Sequence, residues 1–174
     1  LDRVENVIVA APSQSLQAAA ELAQAQGYDV EMLGDAIEGE ARDVARAHAD
    51  LALAASGPRV ILSGGELTVT RRGDGIGGPN AEYALALAEV LDGAPGIHAI
   101  ACDTDGVDGA AEVAGALIGP DTLARARAAG LDAGHALSIN DAHSFFAAIG
   151  GQVVTGPTLT NVNDFRAILI APPI

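Results

Sequence analysis

Between residues 60 and 91 the sequence reads VILSGGELTVTRRGDGIGGPNAEYALALAEVL, and two glycine-rich breaks decide the path of the chain there. An apolar run at 60–62 stops at Ser63-Gly64-Gly65-Glu66. A β-prone run at 67–70 follows at once, and then Gly73-Asp74-Gly75-Ile76-Gly77-Gly78. A helix is predicted from near Asn80, with Asn80 as its N-cap and Glu82 at the positive end of the helix dipole. Tyr83, Leu87 and Leu91 recur at helical spacing. Each break leaves backbone N–H groups free of side-chain cover, as a phosphate or other anion requires. The plainer alternative is that both stretches only build tight turns.

Around this centre the order of elements is βαβαβ. A buried strand is predicted at 7–10 and a helix from Pro12-Ser13 to Gln26, with Gly27 as its left-handed stop. A second strand spans 28–33. A second helix spans 39–55, with Val44, Ala47 and Leu51 inward and Arg42, Asp43, Arg46 and Asp50 outward. Ser56-Gly57-Pro58 ends it, before the strand at 60–62. Such an order argues for parallel strands joined by right-handed crossovers. Ligands of such sheets sit beyond the carboxyl ends of strands, where Ser63-Gly64-Gly65-Glu66 falls. Further on come a strand at 97–102, a helix capped by Pro120-Asp121 and stopped by Gly130, and a helix capped by Asn140-Asp141 that carries Phe145, Phe146 and Ile149. A short strand at 153–154 and a last one at 165–170 complete the chain. The fold class expected is α/β: a layered, mostly parallel or mixed sheet with helices on both faces, in one domain over residues 1–174.

The net charge is −14 and the pI about 4.3, a surface that repels nucleic acid and anionic membrane. Cys102 is the single cysteine, so no internal disulfide forms; with no signal peptide and no membrane-length apolar run, a cytoplasmic location is expected. The chain opens on Leu1 and its one methionine is Met32, which suggests a piece of a longer protein. All nine basic residues are arginine, which excludes a Walker A loop, whose lysine is obligatory.

The strand at 97–102 runs into Asp103-Thr104-Asp105-Gly106-Val107-Asp108-Gly109. Hard cations such as Mg²⁺ take oxygen ligands of this kind, although Asp and Gly also build turns without any ligand. Thr155-Gly156-Pro157-Thr158-Leu159-Thr160-Asn161-Val162-Asn163-Asp164 is a second polar loop, dense in hydroxyl and amide groups. His48, His98, His135 and His143 lack metal-ligand spacing. Ser63 lacks the context of a nucleophile elbow. Cys102 reads as a small buried hydrophobe.

Four segments taken together resemble the C-terminal region of the glycerate 2-kinase family, whose members are often labelled hydroxypyruvate reductase; the region is called the MOFRL domain. They are Ser63-Gly64-Gly65-Glu66, Gly75-Ile76-Gly77-Gly78-Pro79-Asn80-Ala81-Glu82, Thr104-Asp105-Gly106-Val107-Asp108-Gly109, and Thr155-Gly156-Pro157-Thr158 through Asn161-Val162-Asn163-Asp164. The likeness covers residues 59–174, and residues 1–58 look like the end of the preceding α/β region. It implies an enzyme that transfers phosphate from ATP to the 2-hydroxyl of D-glycerate with Mg²⁺. It also implies that this chain is the C-terminal part, inactive alone, sharing its site with an N-terminal domain. Homo-oligomerisation is left open.

Under this resemblance Asp105, Asp108 and Glu66 are the candidate catalytic carboxylates, and Asp103, Asp105 and Asp108 the candidate Mg²⁺ ligands. Ser63, Gly64, Gly65, Gly77, Gly78, Asn80, Thr158, Thr160, Asn161 and Asn163 are candidates for holding substrate and phosphate. Many members carry Arg-Asn-Gln-Glu where this chain has Pro79-Asn80-Ala81-Glu82, so that arginine is missing here. Two other readings stay open. Residues 73–78 match G-x-G-x-x-G between a strand and a helix, which fits an NAD(P)-dependent hydroxypyruvate reductase. The loops would otherwise only shape a non-catalytic surface between domains.

Overall fold

The computed structural model describes residues 10–172; the strand expected at 7–10 lies, apart from Ala10, outside them. Pro12 opens α1 (Pro12–Ala25), where its fixed φ and missing N–H suit the first helical position. The chain continues through β1 (Asp29–Gly34), β2 (Gly39–Glu40), α2 (Ala41–Ala54), β3 (Arg59–Gly65), β4 (Leu67–Thr68) and α3 (Pro79–Leu91). Then follow β5 (Ile97–Asp103), β6 (Gly115–Ile118), α4 (Thr122–Ala128), α5 (Ala133–Ser138), α6 (Ala142–Ala148), β7 (Gln152–Val153) and β8 (Asp164–Ile170). β2, β6 and α5 were not expected from the sequence; Gly39 and Glu40 were expected to open the second helix, which begins at Ala41. β2 is two residues long, β6 is four residues long and opens on Gly115, and α5 is barely longer than one turn.

The main sheet has the order β1-β3-β8-β5-β6-β7 and is mixed. β1 and β3 pair in parallel, as the βαβ unit requires, while β8 enters antiparallel between β3 and β5. β3 and β5 therefore run the same way on either side of β8. Alternate residues face opposite layers. Val60, Leu62, Phe165, Ala167 and Leu169 meet α1 on one face. Ile61, Ile97, Ala99, Ala101, Ile168 and Ile170 meet the larger helical layer on the other. At the centre of that layer lies α3, buried without interruption from Asn80 to Ala88, its buried polar residues Asn80 and Glu82 partnered by Asp164 and Arg42.

The inward face of α2 differs from the expected one. Ala41, Ala45, His48, Ala49 and Ala52 are buried, whereas Ala47 and Leu51 are exposed and Arg42 turns inward. The packing of α2 against α3 explains this, because alanines let two helices approach more closely than leucines do. β3 also runs on through Ser63, Gly64 and Gly65, since β8 pairs Gly64 with Phe165 and Gly65 with Asp164. The first glycine break is the end of a strand, not an open turn.

Candidate active site at the strand ends

Asp164 at the start of β8 faces Gly65 at the end of β3 and Asp103 at the end of β5. The two polar stretches 63–66 and 103–109 thus lie at one end of the sheet. The 155–163 loop comes to the same end. Thr104 Oγ1 donates to the Asn163 carbonyl at 2.8 Å, and the Thr158 N–H donates to the Asp105 carbonyl at 3.0 Å. Thr158 Oγ1 donates to the Thr104 carbonyl, and Asn161 Nδ2 lies 3.4 Å from Asp105 Oδ2. Thr158, Thr160 and Asn161 are exposed on this rim, with Asn163 beside them. Glu66 is exposed at the end of β3.

The three aspartates of the 103–109 loop separate into different environments. Asp103 Oδ1 accepts the Asp105 N–H at 2.9 Å, and Asp105 Oδ1 accepts the Val107 N–H at 2.8 Å, so both shape the loop while remaining partly open to solvent. Burial, opposed by the N–H bond from Asp105 and aided by the nearby charges of Asp105 and Asp164, pushes the Asp103 carboxyl up to about 6. Asp108 is buried and points the other way. Its Oδ1 accepts the Asn80 N–H at 3.0 Å and its Oδ2 the Ala81 N–H at 2.8 Å. His143 Nε2 stands 3.1 Å from the same Oδ2. Asp108 is thus the cap of α3, supplied from a distant loop. Asn80, expected in that place, sits inside the first turn behind Gly78. Among the described residues no three acidic, His or Cys side chains converge on a site that would hold a metal ion.

The glycines do not form open phosphate cradles. A Cβ on Gly65 would lie 2.3 Å from the Ile37 backbone N, and one on Gly78 2.4 Å from the Asp108 carboxyl carbon. Gly64 and Gly77 similarly abut the backbones of Asp164 and Asn140. These residues are glycine because the protein's own chain fills the space. With the Asp108 carboxylate at the start of α3, no pyrophosphate has access to that helix N-terminus. This removes the anion site on which a dinucleotide fingerprint at 73–78 depends.

Beneath the rim lies a polar network that the sequence did not disclose. The Arg166 guanidinium is buried; it donates to Asp164 Oδ2 at 2.8 Å, to the Gly64 carbonyl at 2.8 Å and to Ser63 Oγ at 3.3 Å. Ser63 is thereby a buried partner of Arg166 and is not presented to solvent. Asp164 also accepts from Asn80 Nδ2 at 2.7 Å, and burial raises its carboxyl above the ordinary range. His48 Nδ1 lies 2.9 Å from the Tyr83 hydroxyl, and burial, then the charge of Arg166, lowers its imidazole to about 4. Burial pushes the Cys102 thiol up to about 11. A lone arginine inside the apolar run 165–170 was the available signal, since a charge at a buried strand position needs a partner.

The MOFRL family model matches residues 59–164. The chain belongs to the MOFRL family. Within it, the chain is 53% identical to a protein from Agrobacterium vitis named "Putative hydroxypyruvate reductase", over 94% of this chain and 45% of that one. It is 32% identical to D-glycerate 2-kinase of Thermotoga maritima, over 98% of this chain and 42% of the relative. The crystal structure of a glycerate kinase from Thermotoga maritima superposes with a TM-score of 0.92 at 32% identity, covering 97% of this chain and 42% of that one. This MOFRL chain thus spans less than half the length of those relatives. Among its described residues no helix is long and apolar enough to cross a membrane. β1 and β3 pair across the start of the family match, so residues before and within it share one sheet.

Proposed function

We propose that this MOFRL chain is the C-terminal part of a glycerate 2-kinase, transferring phosphate from ATP to the 2-hydroxyl of D-glycerate. The observation that carries the reading is the superposition on a glycerate kinase crystal structure over nearly the whole chain. The gathering of the 63–66, 103–109 and 155–163 stretches at one end of the sheet supports it. In this reading Asp105 and Asp103 face the reacting phosphate, with Glu66 at the same edge. Thr158, Thr160, Asn161 and Asn163 supply hydroxyl and amide groups for glycerate and phosphate oxygens. Asp108 and Asn80 act from behind, by fixing α3 and the loop that carries Asp105.

Mg²⁺ fits the donor set, because it binds through one or two carboxylates together with substrate phosphates and needs no all-protein cage. When bound, it would neutralise charge on the transferring phosphoryl group. Burial chiefly, with the charges of Asp105 and Asp164 adding to it, raises the Asp103 carboxyl, and a cation beside Asp103 and Asp105 would favour its ionised form. The remaining positive charge must come from elsewhere, since the chain carries −14 and no lysine. We assign it to a preceding domain that closes over these loops. The occupied N-terminus of α3 weighs against a nicotinamide dinucleotide in the same place. The test is to assay the full-length protein in two ways: ADP formation from Mg-ATP and D-glycerate, and NADH oxidation by hydroxypyruvate. ADP formation is expected. NADH oxidation without ADP formation would overturn the reading.

A further inference from the structure

Three of the nine arginines converge away from the strand-end loops. Arg42, Arg46 and Arg72 line one cavity of about 230 Å³, together with Glu89 on α3 and Ser138 at the end of α5. None of its lining residues belongs to the 103–109 or 155–163 loops. Arg42 and Arg46 are four apart on α2, where like charges repel. Arg72 arrives from the loop after β4, its backbone N–H fixed by Asn140 Oδ1 at 2.6 Å.

The charges there are unequally answered. Arg42 is half of a buried pair with Glu82 at 2.7 Å and also donates to the Leu137 carbonyl. Arg46 reaches Asp43 at 2.6 Å, but both side chains are well exposed, so that pair contributes little. Arg72 pairs with no carboxylate among the described residues. Glu89 is the one carboxylate among the cavity's lining residues, beside three arginines of which Arg72 is left without a carboxylate partner among the described residues.

We infer that this cavity is an anion site for inorganic phosphate or a small phosphomonoester, separate from the proposed phosphotransfer site. A guanidinium carries N–H donors in the forked geometry that phosphate oxygens accept, and the cavity is lined by such groups from two elements, α2 and the loop after β4. The volume suits a small anion, being below the range of about 300 to 1,000 Å³ of cavities that bury a drug-sized ligand. The inference does not depend on the kinase reading, and its test reads binding, not turnover.

The test is calorimetric titration of the intact protein with inorganic phosphate, and separately with glycerol 3-phosphate, at constant ionic strength balanced with chloride. The variants are Arg46→Gln, Arg72→Gln and the double change, each checked by thermal melting; both side chains reach the surface, so folding should be retained. Each arginine removed should weaken the anion about tenfold, the worth of one charge-assisted hydrogen bond. Glu89→Gln should tighten it, a direction that a merely structural role does not produce. Tighter binding of glycerol 3-phosphate than of phosphate would assign the site to a phosphomonoester; equal or weaker binding would assign it to phosphate itself. Absence of saturable binding, or affinities unchanged in both the double variant and Glu89→Gln, would overturn the inference.

Discussion

Asp108 closes the N-terminus of α3 from 28 residues away, its Oδ1 accepting the Asn80 N–H at 3.0 Å. Pro79 lacks an N–H, so Asn80 and Ala81 present the first free donors of the helix, and one carboxylate takes both. The same Asn80 reaches Asp164 through its side chain. The central helix, the 103–109 loop and the start of β8 are therefore tied at one buried point directly behind the rim.

Asp108→Asn should cost stability. It removes a buried charge from two helix N–H groups and from His143, and turns an amide donor toward one of them. Charge-assisted bonds and N-caps together suggest a loss of about 2–4 kcal/mol. Urea unfolding of the variant and the parent measures it, and a change below about 0.5 kcal/mol would contradict the capping role.

Asp105→Asn should behave in the opposite way. Its carboxylate is on the rim, so the fold should hold, with a melting temperature close to that of the parent. In the full-length protein kcat should fall by about 100-fold or more, if Asp105 orients the phosphoryl group or the attacking hydroxyl. A variant with full activity and reduced stability would leave Asp105 as a turn former.

The pH dependence follows from two groups with opposite signs. Asp103, raised to about 6, holds its proton in the folded state between about pH 4 and 6, where the unfolded chain has released it. Its contribution to stability therefore falls as pH rises through that window. His48, lowered to about 4, stays neutral when folded while the unfolded chain takes a proton below 6.5, so its contribution falls as pH drops from 6.5 toward 4. In metal-free buffer the melting temperature of Asp103→Asn relative to the parent should rise between pH 4 and 7. Imidazole NMR should find His48 still neutral at pH 5. A flat difference for Asp103→Asn, or a His48 titration near 6.5, would contradict the respective environment.

Much of the architecture was legible because it rests on local signals. Pro12 and Gly27 bracket α1, and the apolar periodicity after Pro79 marks α3. The place of β8 was not legible: its pairing with β3 joins residues about a hundred positions apart, and nothing near 165–170 states which neighbours it takes. On α2 Val44 packs against the core as its hydrophobicity predicts, but Leu51 is exposed, because close packing on α3 favours alanine. The 103–109 spacing showed three carboxylates without distinguishing Asp105 on the rim from Asp108 beneath it. That distinction depends on where α3 begins in space. The glycines at 64–65 and 77–78 were visible, but sequence cannot separate a backbone left open for a ligand from one covered by the same chain.

The filled glycine loops also bear on what this chain can do alone. A nicotinamide dinucleotide needs a helix N-terminus for its pyrophosphate, and at α3 that position is taken by the Asp108 carboxylate. A free nucleotide triphosphate meets a chain of net charge −14 with no lysine. Under the proposed function Asp103 and Asp105 would hold Mg²⁺, which would offset that repulsion. Calorimetric titration of the 174-residue chain should accordingly find no tight NADH binding, no measurable ATP binding without metal, and weak binding of Mg-ATP that Asp105→Asn abolishes. A coupled assay with D-glycerate should find no turnover until the N-terminal domain is restored. Micromolar NADH binding would revive the dinucleotide reading, and would require Asp108 to leave the helix. Turnover by the chain alone would place the whole phosphotransfer site within these residues, against a site shared with a second domain.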